Sequence, residues 1–261
     1  MPEAARNPIP VVFLHGVGGA ARAWTPQFKS FAAAGFAPVA LDLPGYGGRP
    51  LPTSMDFQGL AADVEAQIAE RGLQHPVLVG HSLGGMIAQT ALRRRPDFYA
   101  AAVLSCTSPA FGNPGGDFQR KFVADRLGPL DAGKTMAELA AGLIGEIVGP
   151  APEPAGRALA IDCMAATPGE SYRAAVECLV RFDERGNLPH IRVPTLCLAG
   201  EHDRNAPAPM MERMAGKIPG ARYVCLSGVG HLPNLEAPAK FDAAILGFLH
   251  ESLFAAMPAQ T

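Results

Sequence analysis

Positive charge never gathers in this sequence: apart from Arg93-Arg94-Arg95 there is no polybasic stretch, and the formal net charge is −2. A chain without a basic face has little with which to neutralise a phosphate backbone, so nucleic acid is not an expected partner. Cysteine is also thin. Cys106, Cys163, Cys178, Cys197 and Cys225 form no CxxC pair and no Cys/His cluster, which leaves neither a zinc framework nor a disulfide pattern. All five are expected to be small buried hydrophobes in a reducing compartment, with Cys197 and Cys225 inside apolar strand-like runs. There is no metal-ligand set and no dinucleotide fingerprint, so neither metal nor cofactor is expected and activity should survive EDTA. No apolar run reaches the ~18 residues of a membrane span. The stretch Met1–Pro10 is broken by Pro2, Glu3, Arg6, Asn7 and Pro8 and offers no apolar leader core, so the expectation is a soluble, cytoplasmic protein without a membrane partner. No internal repeat or low-complexity tract occurs.

What is present is enough for a substantial core. Hydrophobic residues make up 48% of the 261 positions and charged residues 18%, a balance that offsets chain entropy. Short apolar runs recur at Val11–Leu14, Pro38–Leu41, Val77–Val79, Ala101–Leu104, Thr195–Ala199 and Tyr223–Leu226, each closed by a turn and followed by a longer helical pattern. Apolar residues fill these runs almost throughout, so both faces of the sheet should carry helices, as in a parallel, doubly wound α/β fold. Phe111 to Leu188 is too long for a simple crossover and is itself helical: Met136, Leu139, Ala140, Leu143, Ile144 and Ile147 keep helix spacing, and Gly149, Pro150, Pro152 and Pro154 interrupt before a second run from Gly156 to Met164. The expected division is therefore a core of residues 1–110 and 189–261 with a helical cap, 111–188, inserted over one end of the sheet.

The segment carrying the most chemical information is Gly80-His81-Ser82-Leu83-Gly84-Gly85. It stands between the strand-like His75–Val79 and the helix-like Met86–Arg95, which Pro96 ends. A serine on a sharp strand-to-helix turn exposes its Oγ above the sheet edge, and the flanking glycines are needed because Cβ atoms there would strike the neighbouring strand and helix. A serine hydroxyl is a weak nucleophile at neutral pH, so it needs a neutral imidazole to accept its proton, and the imidazole in turn needs a carboxylate to orient it. Seven histidines and several carboxylates, Glu201 and Asp162 among them, are available for those parts.

With this elbow in place the chain resembles the α/β-hydrolase superfamily from Val11 to about Leu249. Three further stretches carry the resemblance, each at a strand end: His15-Gly16-Val17-Gly18-Gly19, Gly200-Glu201-His202-Asp203 and Gly228-Val229-Gly230-His231. It implies the order nucleophile, acid, histidine, met here by Ser82, Asp203 and His231, and an oxyanion hole formed by the backbone N–H groups of Val17 and Leu83. The superfamily's usual opening pair of antiparallel strands has almost no room before Val11, so that edge is expected to be shortened or missing. Asp42-Leu43-Pro44-Gly45-Tyr46-Gly47, another stretch usual in the superfamily, is expected to serve loop architecture. Trp24 is a candidate for lining the acyl pocket. Arg22, Arg120, Arg157 and Arg173 are candidates for a substrate carboxylate, with a solvated role expected for each.

Within the superfamily, Ser82 stands where haloalkane dehalogenases and epoxide hydrolases use aspartate, and Leu83 stands where perhydrolases usually have methionine. Ala21-Arg22-Ala23 and Leu232 depart from the asparagine and tryptophan of carbon–carbon hydrolases. Gly230 to Pro238, read with Gly80 to Gln89, is most similar to the 3-oxoadipate enol-lactonase and carboxylesterase branch. The resemblance implies a cofactor-independent hydrolase of a small ester or lactone, acting as a monomer or homodimer. The alternatives are a carbon–carbon bond hydrolase of a ring-cleavage-type diketone and a ligand receptor that retains the triad.

Overall fold

The computed structural model describes residues 7–112 and 115–254; residues 1–6, part of the stretch on which the absence of a leader was read, lie outside them. Six strands, β1 (Ile9–Leu14), β2 (Phe36–Leu41), β3 (Val77–His81), β4 (Ala101–Ser105), β5 (Thr195–Gly200) and β6 (Arg222–Leu226), form one sheet in the order β2-β1-β3-β4-β5-β6. Every pairing is parallel. No antiparallel pair precedes β1 among the described residues.

The strands separate two apolar layers because successive side chains leave opposite faces. Val12, Leu14 and Leu78 join the layer under α2 (Phe57–Glu70), α3 (Leu83–Arg94) and α8 (Ala208–Ala215). Val11, Phe13, Val77 and Val79 join the layer under α1 (Thr25–Ala33) and α10 (Pro238–Leu253), which follows the short α9 (Pro233–Glu236). Both faces being covered is what makes the strand sequences read as near-continuous apolar runs. The edge strand β6 departs from this. Only Leu226 in it is buried, and Cys225 is exposed while Cys106, Cys163, Cys178 and Cys197 are buried. The expectation of five buried cysteines is thus corrected at Cys225, because an edge strand has a neighbour on one side only.

Between β4 and β5 run α4 (Asp117–Asp131), α5 (Met136–Ile147), α6 (Pro154–Ala165) and α7 (Gly169–Leu179). Thr135 caps α5, its hydroxyl accepting the Glu138 N–H while the Glu138 carboxylate accepts the Thr135 N–H. Pro154 opens α6 at a position where its missing N–H costs nothing. These helices share a third apolar cluster with Ala23, Leu232 and Leu235 from the loops at the sheet rim, so they sit over the carboxyl ends of the strands. β1 is flanked by β2 on one side and β3 on the other. The order in which successive strands join the sheet therefore reverses between β1 and β3, the crevice where open parallel sheets accept ligands.

Candidate active site

Ser82 lies directly beyond β3 in that crevice, with φ 52° and ψ −116°, a conformation costly for a residue with a Cβ and kept only when the surroundings enforce it. Three contacts enforce it. The Ser82 N–H donates to the Ser105 carbonyl at 3.0 Å, the Thr107 hydroxyl donates to the Ser82 carbonyl at 2.8 Å, and α3 begins at once with Leu83. The glycines act as the sequence requires. A Cβ on Gly80 would stand 2.4 Å from the Gly84 carbonyl oxygen, and one on Gly84 would stand 2.2 Å from the Leu14 carbonyl oxygen. The expected helix start at Met86 is corrected to Leu83, since the small Gly84 and Gly85 let the first turn pack against β1 and Thr107 without opening into a loop.

His231 and Asp203 arrive on loops that are bonded to each other. The Glu201 N–H donates to the Leu226 carbonyl at 3.1 Å and the His202 N–H to the Val229 carbonyl at 2.8 Å, so the turns after β5 and β6 travel as one piece. His231 Nε2 lies 3.1 Å from Ser82 Oγ, and His231 Nδ1 lies 2.7 Å from Asp203 Oδ2. Asp203 Oδ1 accepts the N–H groups of Asn205 at 2.8 Å and Ala206 at 3.0 Å. Burial alone would raise the Asp203 carboxyl, but the His231 charge and hydrogen bond and these two N–H groups together hold it below the ordinary carboxylate range. The other carboxylates weighed from the sequence point elsewhere. Glu201 is exposed and accepts from Ser227 and the Gly228 N–H, and Asp162 pairs with Arg22.

Leu83 and Val17 both keep a backbone N–H that meets no protein acceptor among the described residues. The orientation of the Val17 N–H traces to a buried histidine. The Leu43 N–H donates to His15 Nε2 at 3.2 Å, which leaves the proton on Nδ1, and Nδ1 sits 2.9 Å from the Gly16 carbonyl. The Gly19 N–H donates to the same carbonyl at 3.0 Å. In a trans peptide the following N–H points the opposite way, so pinning the Gly16 oxygen fixes the direction of the Val17 donor. His15 and His81 are both buried, and burial lowers both imidazoles, His81 to about 3. His81 is thus neutral at physiological pH and holds the His231 carbonyl through Nε2 at 2.6 Å.

Several residues with a part in the site escaped the sequence reading. Glu236 is buried without a basic partner among the described residues, and its carboxylate accepts the N–H groups of Gly149 at 2.7 Å, Gly230 at 2.8 Å and Leu232 at 2.8 Å. It ties the His231 loop to the C-terminal end of α5, where the His231 N–H also donates to the Ile147 carbonyl at 2.8 Å. The only available signal was its place five residues after His231 in the run quoted for the resemblance. Cys106, at φ 45°, brings its sulfur within 4.8 Å of Asp203 and His231 ligand atoms, a set with the chemistry to hold a metal ion. Two of those three groups already satisfy each other at 2.7 Å, and burial pushes the Cys106 thiol well up, away from the thiolate a metal needs. The arrangement suits proton transfer better than coordination.

Two cavities meet at Ser82. The larger, about 180 Å³, is bounded by Met86, Phe111, Phe122, Leu143 and Val176 among others, and the smaller, about 50 Å³, by the Gly16–Gly19 loop, Trp24, Leu232 and Leu235. Trp24 borders the smaller space while packing tilted against Phe13, ring centroids 4.9 Å apart, in the core. Asp42 acts within the loops, accepting the Ala21 N–H at 2.7 Å. Of the four arginines suggested for a carboxylate, Arg22, Arg120 and Arg173 pair with Asp162, Asp117 and Asp131 at the surface, and none of the four lines the larger cavity.

Comparison with known proteins agrees with this architecture. A solved esterase from Thermogutta terrifontis, with malate bound, is 26% identical, with a TM-score of 0.83 over 94% of this chain and 90% of its own. The enol-lactonase of Burkholderia xenovorans LB400 is 25% identical, with a TM-score of 0.84 over 95% and 93%. In sequence, the AB hydrolase superfamily protein YisY of Bacillus subtilis is 30% identical over 92% of this chain and 91% of its own length. A putative carbamate hydrolase, RutD, of Pseudomonas savastanoi is 27% identical over 92% and 93%. Residues 11–244 match the model of the alpha/beta hydrolase family, and the chain belongs to that family.

Proposed function

We propose that the protein is a serine esterase or lactonase in which Ser82 is the nucleophile, His231 the general base and acid, and Asp203 the group that orients His231. The observation that carries this reading is the unbroken path from Ser82 Oγ to His231 Nε2 at 3.1 Å and from His231 Nδ1 to Asp203 at 2.7 Å, at the rim of two cavities. With Nδ1–H donated to the Asp203 carboxylate, Nε2 keeps its lone pair and faces the hydroxyl.

As Ser82 Oγ bonds to the acyl carbon, its proton passes to His231 Nε2 and the carbonyl electrons move onto oxygen. The Leu83 and Val17 N–H groups receive that oxyanion, at the head of α3 where the helix dipole also favours negative charge. Collapse breaks the bond to the alcohol, which leaves with the proton held on His231. Water then repeats the sequence on the acyl-enzyme, releasing the acid and restoring Ser82. Asp203 stabilises the imidazolium in both halves and stays ionised throughout. Helices α4 to α7 serve as the cap that shapes the acyl space.

The test is steady turnover of p-nitrophenyl butyrate, with Ser82→Ala as the control. Turnover should fall in the variant by about 10⁴-fold or more, the scale on which serine nucleophiles are felt. A folded Ser82→Ala variant that keeps its activity would remove the assignment. Cleavage of a vinylogous diketone without any ester turnover would move the enzyme to carbon–carbon hydrolysis.

A further inference from the structure

Charge in the larger cavity has one sign. Among the residues lining it are Arg126 and Arg204 and no aspartate or glutamate, while most of the remaining wall is apolar. Arg126 reaches it from α4 and Arg204 from the turn just after Asp203, so the two cations come from opposite walls, cap and rim.

Arg126 is the informative one. Its side chain is only 18% exposed, yet its one ion-pair partner among the described residues is Glu146, at 3.4 Å and itself 69% exposed. A guanidinium covered to that extent has lost much of its water and wants an acceptor of better geometry than a long contact to a solvated carboxylate. Three of the four arginines named from the sequence differ in kind, since Arg22, Arg120 and Arg173 are paired at the surface. Tyr172 also lines the cavity, is buried, and its hydroxyl makes no hydrogen bond among the described residues. Arg204 makes no ion pair among them. The wall thus offers donors whose one charged acceptor is distant and solvated, in a space of about 180 Å³, smaller than the ~300 Å³ at which sites for drug-sized ligands begin.

Resting on the esterase reading, we propose that the substrate is a short ester or lactone bearing an ionised carboxylate at the end remote from the scissile bond, gripped by Arg126 with the Tyr172 hydroxyl, while Arg204 draws the anion in. A planar fork matches a carboxylate at two points, which also fixes how far the scissile carbonyl stands from the anchor. Chain length is selected as well as charge.

The experiment compares kcat/KM for monomethyl diacids, from monomethyl succinate to monomethyl suberate, with methyl esters of the matching monoacids. A second arm places the charge on the alcohol side, as acetyl esters of ω-hydroxy acids against acetyl esters of simple alcohols. In one of the two arms an anionic substrate of intermediate length should exceed its neutral counterpart by about tenfold or more, the scale of a charge-assisted bond. Arg126→Gln should collapse that ratio, Arg126→Lys should keep part of it, and Tyr172→Phe should lower it less. Arg173→Gln, on the exposed pair with Asp131, should leave the ratio as in wild type. Calorimetry of glutarate and adipate with Ser82→Ala, with and without Arg126→Gln, reads the same anchor without turnover. If esters are hydrolysed but neutral ones are preferred in both arms, or the preference survives Arg126→Gln, this inference falls and the esterase reading stands. If no ester is turned over while a diacid binds in an Arg126-dependent way, the esterase reading falls and the anion site stands.

Discussion

The sheet rim and the helices above it are held by different forces. At the rim, position is set by backbone: Gly80 and Gly84 admit no Cβ, Glu236 collects three N–H groups, and the Asp203 and His231 turns are bonded to each other. Among α4 to α7 the ion pairs are side chain to side chain and open to water, as in Arg173 with Asp131 and Lys121 with Asp125, and most of the rest is apolar packing, with a few buried bonds such as the Ser171 hydroxyl to the Gly45 carbonyl. Backbone-fixed geometry keeps reacting atoms within tenths of an ångström, which proton transfer demands. Exposed ion pairs and apolar contacts can be exchanged without disturbing it. The contrast predicts that one part of the molecule carries the reaction and the other carries the choice of substrate.

The hardest way to break that contrast is to remove a rim group proposed to react. Replacing Ser82 by alanine should leave the fold intact and lower kcat by on the order of 10⁴ to 10⁶. Asp203→Asn should cost about 10⁴ in kcat, because the amide can hold His231 in the wrong tautomer. The carboxylate has a second signature. Burial opposes its charge, but His231, Ala206 and Asn205 hold it below its ordinary 3.8, so the folded state gains stability from the ionised form at pH above that value. The gain is lost as pH falls through the lowered folded value. Urea titrations of wild type and Asp203→Asn should therefore differ most near neutrality and converge on acidification below about pH 4. A gap that widens with acid would mean that the carboxylate is not held low.

How much of this was legible in the sequence follows the same division. The strands and the Gly80–Gly84 elbow could be read because burial on both faces and close backbone approach leave few residue types possible. Ser82, Asp203 and His231 could be named through the resemblance, whose motifs each fall where a strand ends, and parallel strands end at one rim. Glu236 could not be singled out. Its partners are backbone N–H groups, which leave no mark on the residues that bear them. Cys225 was misjudged for a related reason, since apolar neighbours in sequence do not reveal that β6 is an edge. The arginines at the cavity were hidden most completely: Arg126 and Arg120 look alike in sequence, and only the rotation of α4 separates the cavity wall from the surface.

Glu236 tests whether rim geometry depends on parts that never touch substrate. Its removal as Glu236→Ala strands the N–H groups of Gly149, Gly230 and Leu232. At about 1 kcal/mol or more for each buried donor, stability should drop by roughly 3 kcal/mol. His231 is flanked by two of those donors, so kcat should fall by about 10²-fold, the scale of a small misplacement. Glu236→Gln retains one oxygen able to serve two N–H groups and should lie between wild type and alanine in both measures. Equal losses for glutamine and alanine would show that charge, not the count of accepted N–H groups, sets the loop.

The smallest effect is expected where α6 meets the loop after β1. Arg22 pairs with Asp162 across that junction, with side chains 43% and 67% exposed. Two long side chains in water gain little Coulomb energy and give up rotamer freedom, so a double-mutant cycle should return a coupling of about 0.2 to 1 kcal/mol, weaker still in high salt. The pair nevertheless stands close to the Val17 donor in sequence and next to Cys163 on the smaller cavity. If the helices only choose the substrate, Arg22→Ala should alter selectivity between short esters while leaving kcat for the best of them within about twofold, because the Gly16 carbonyl stays pinned by His15. A fall in kcat as large as that of Glu236→Ala would show that α6 holds the oxyanion loop in place, and the division between rim and cap would have to be redrawn there.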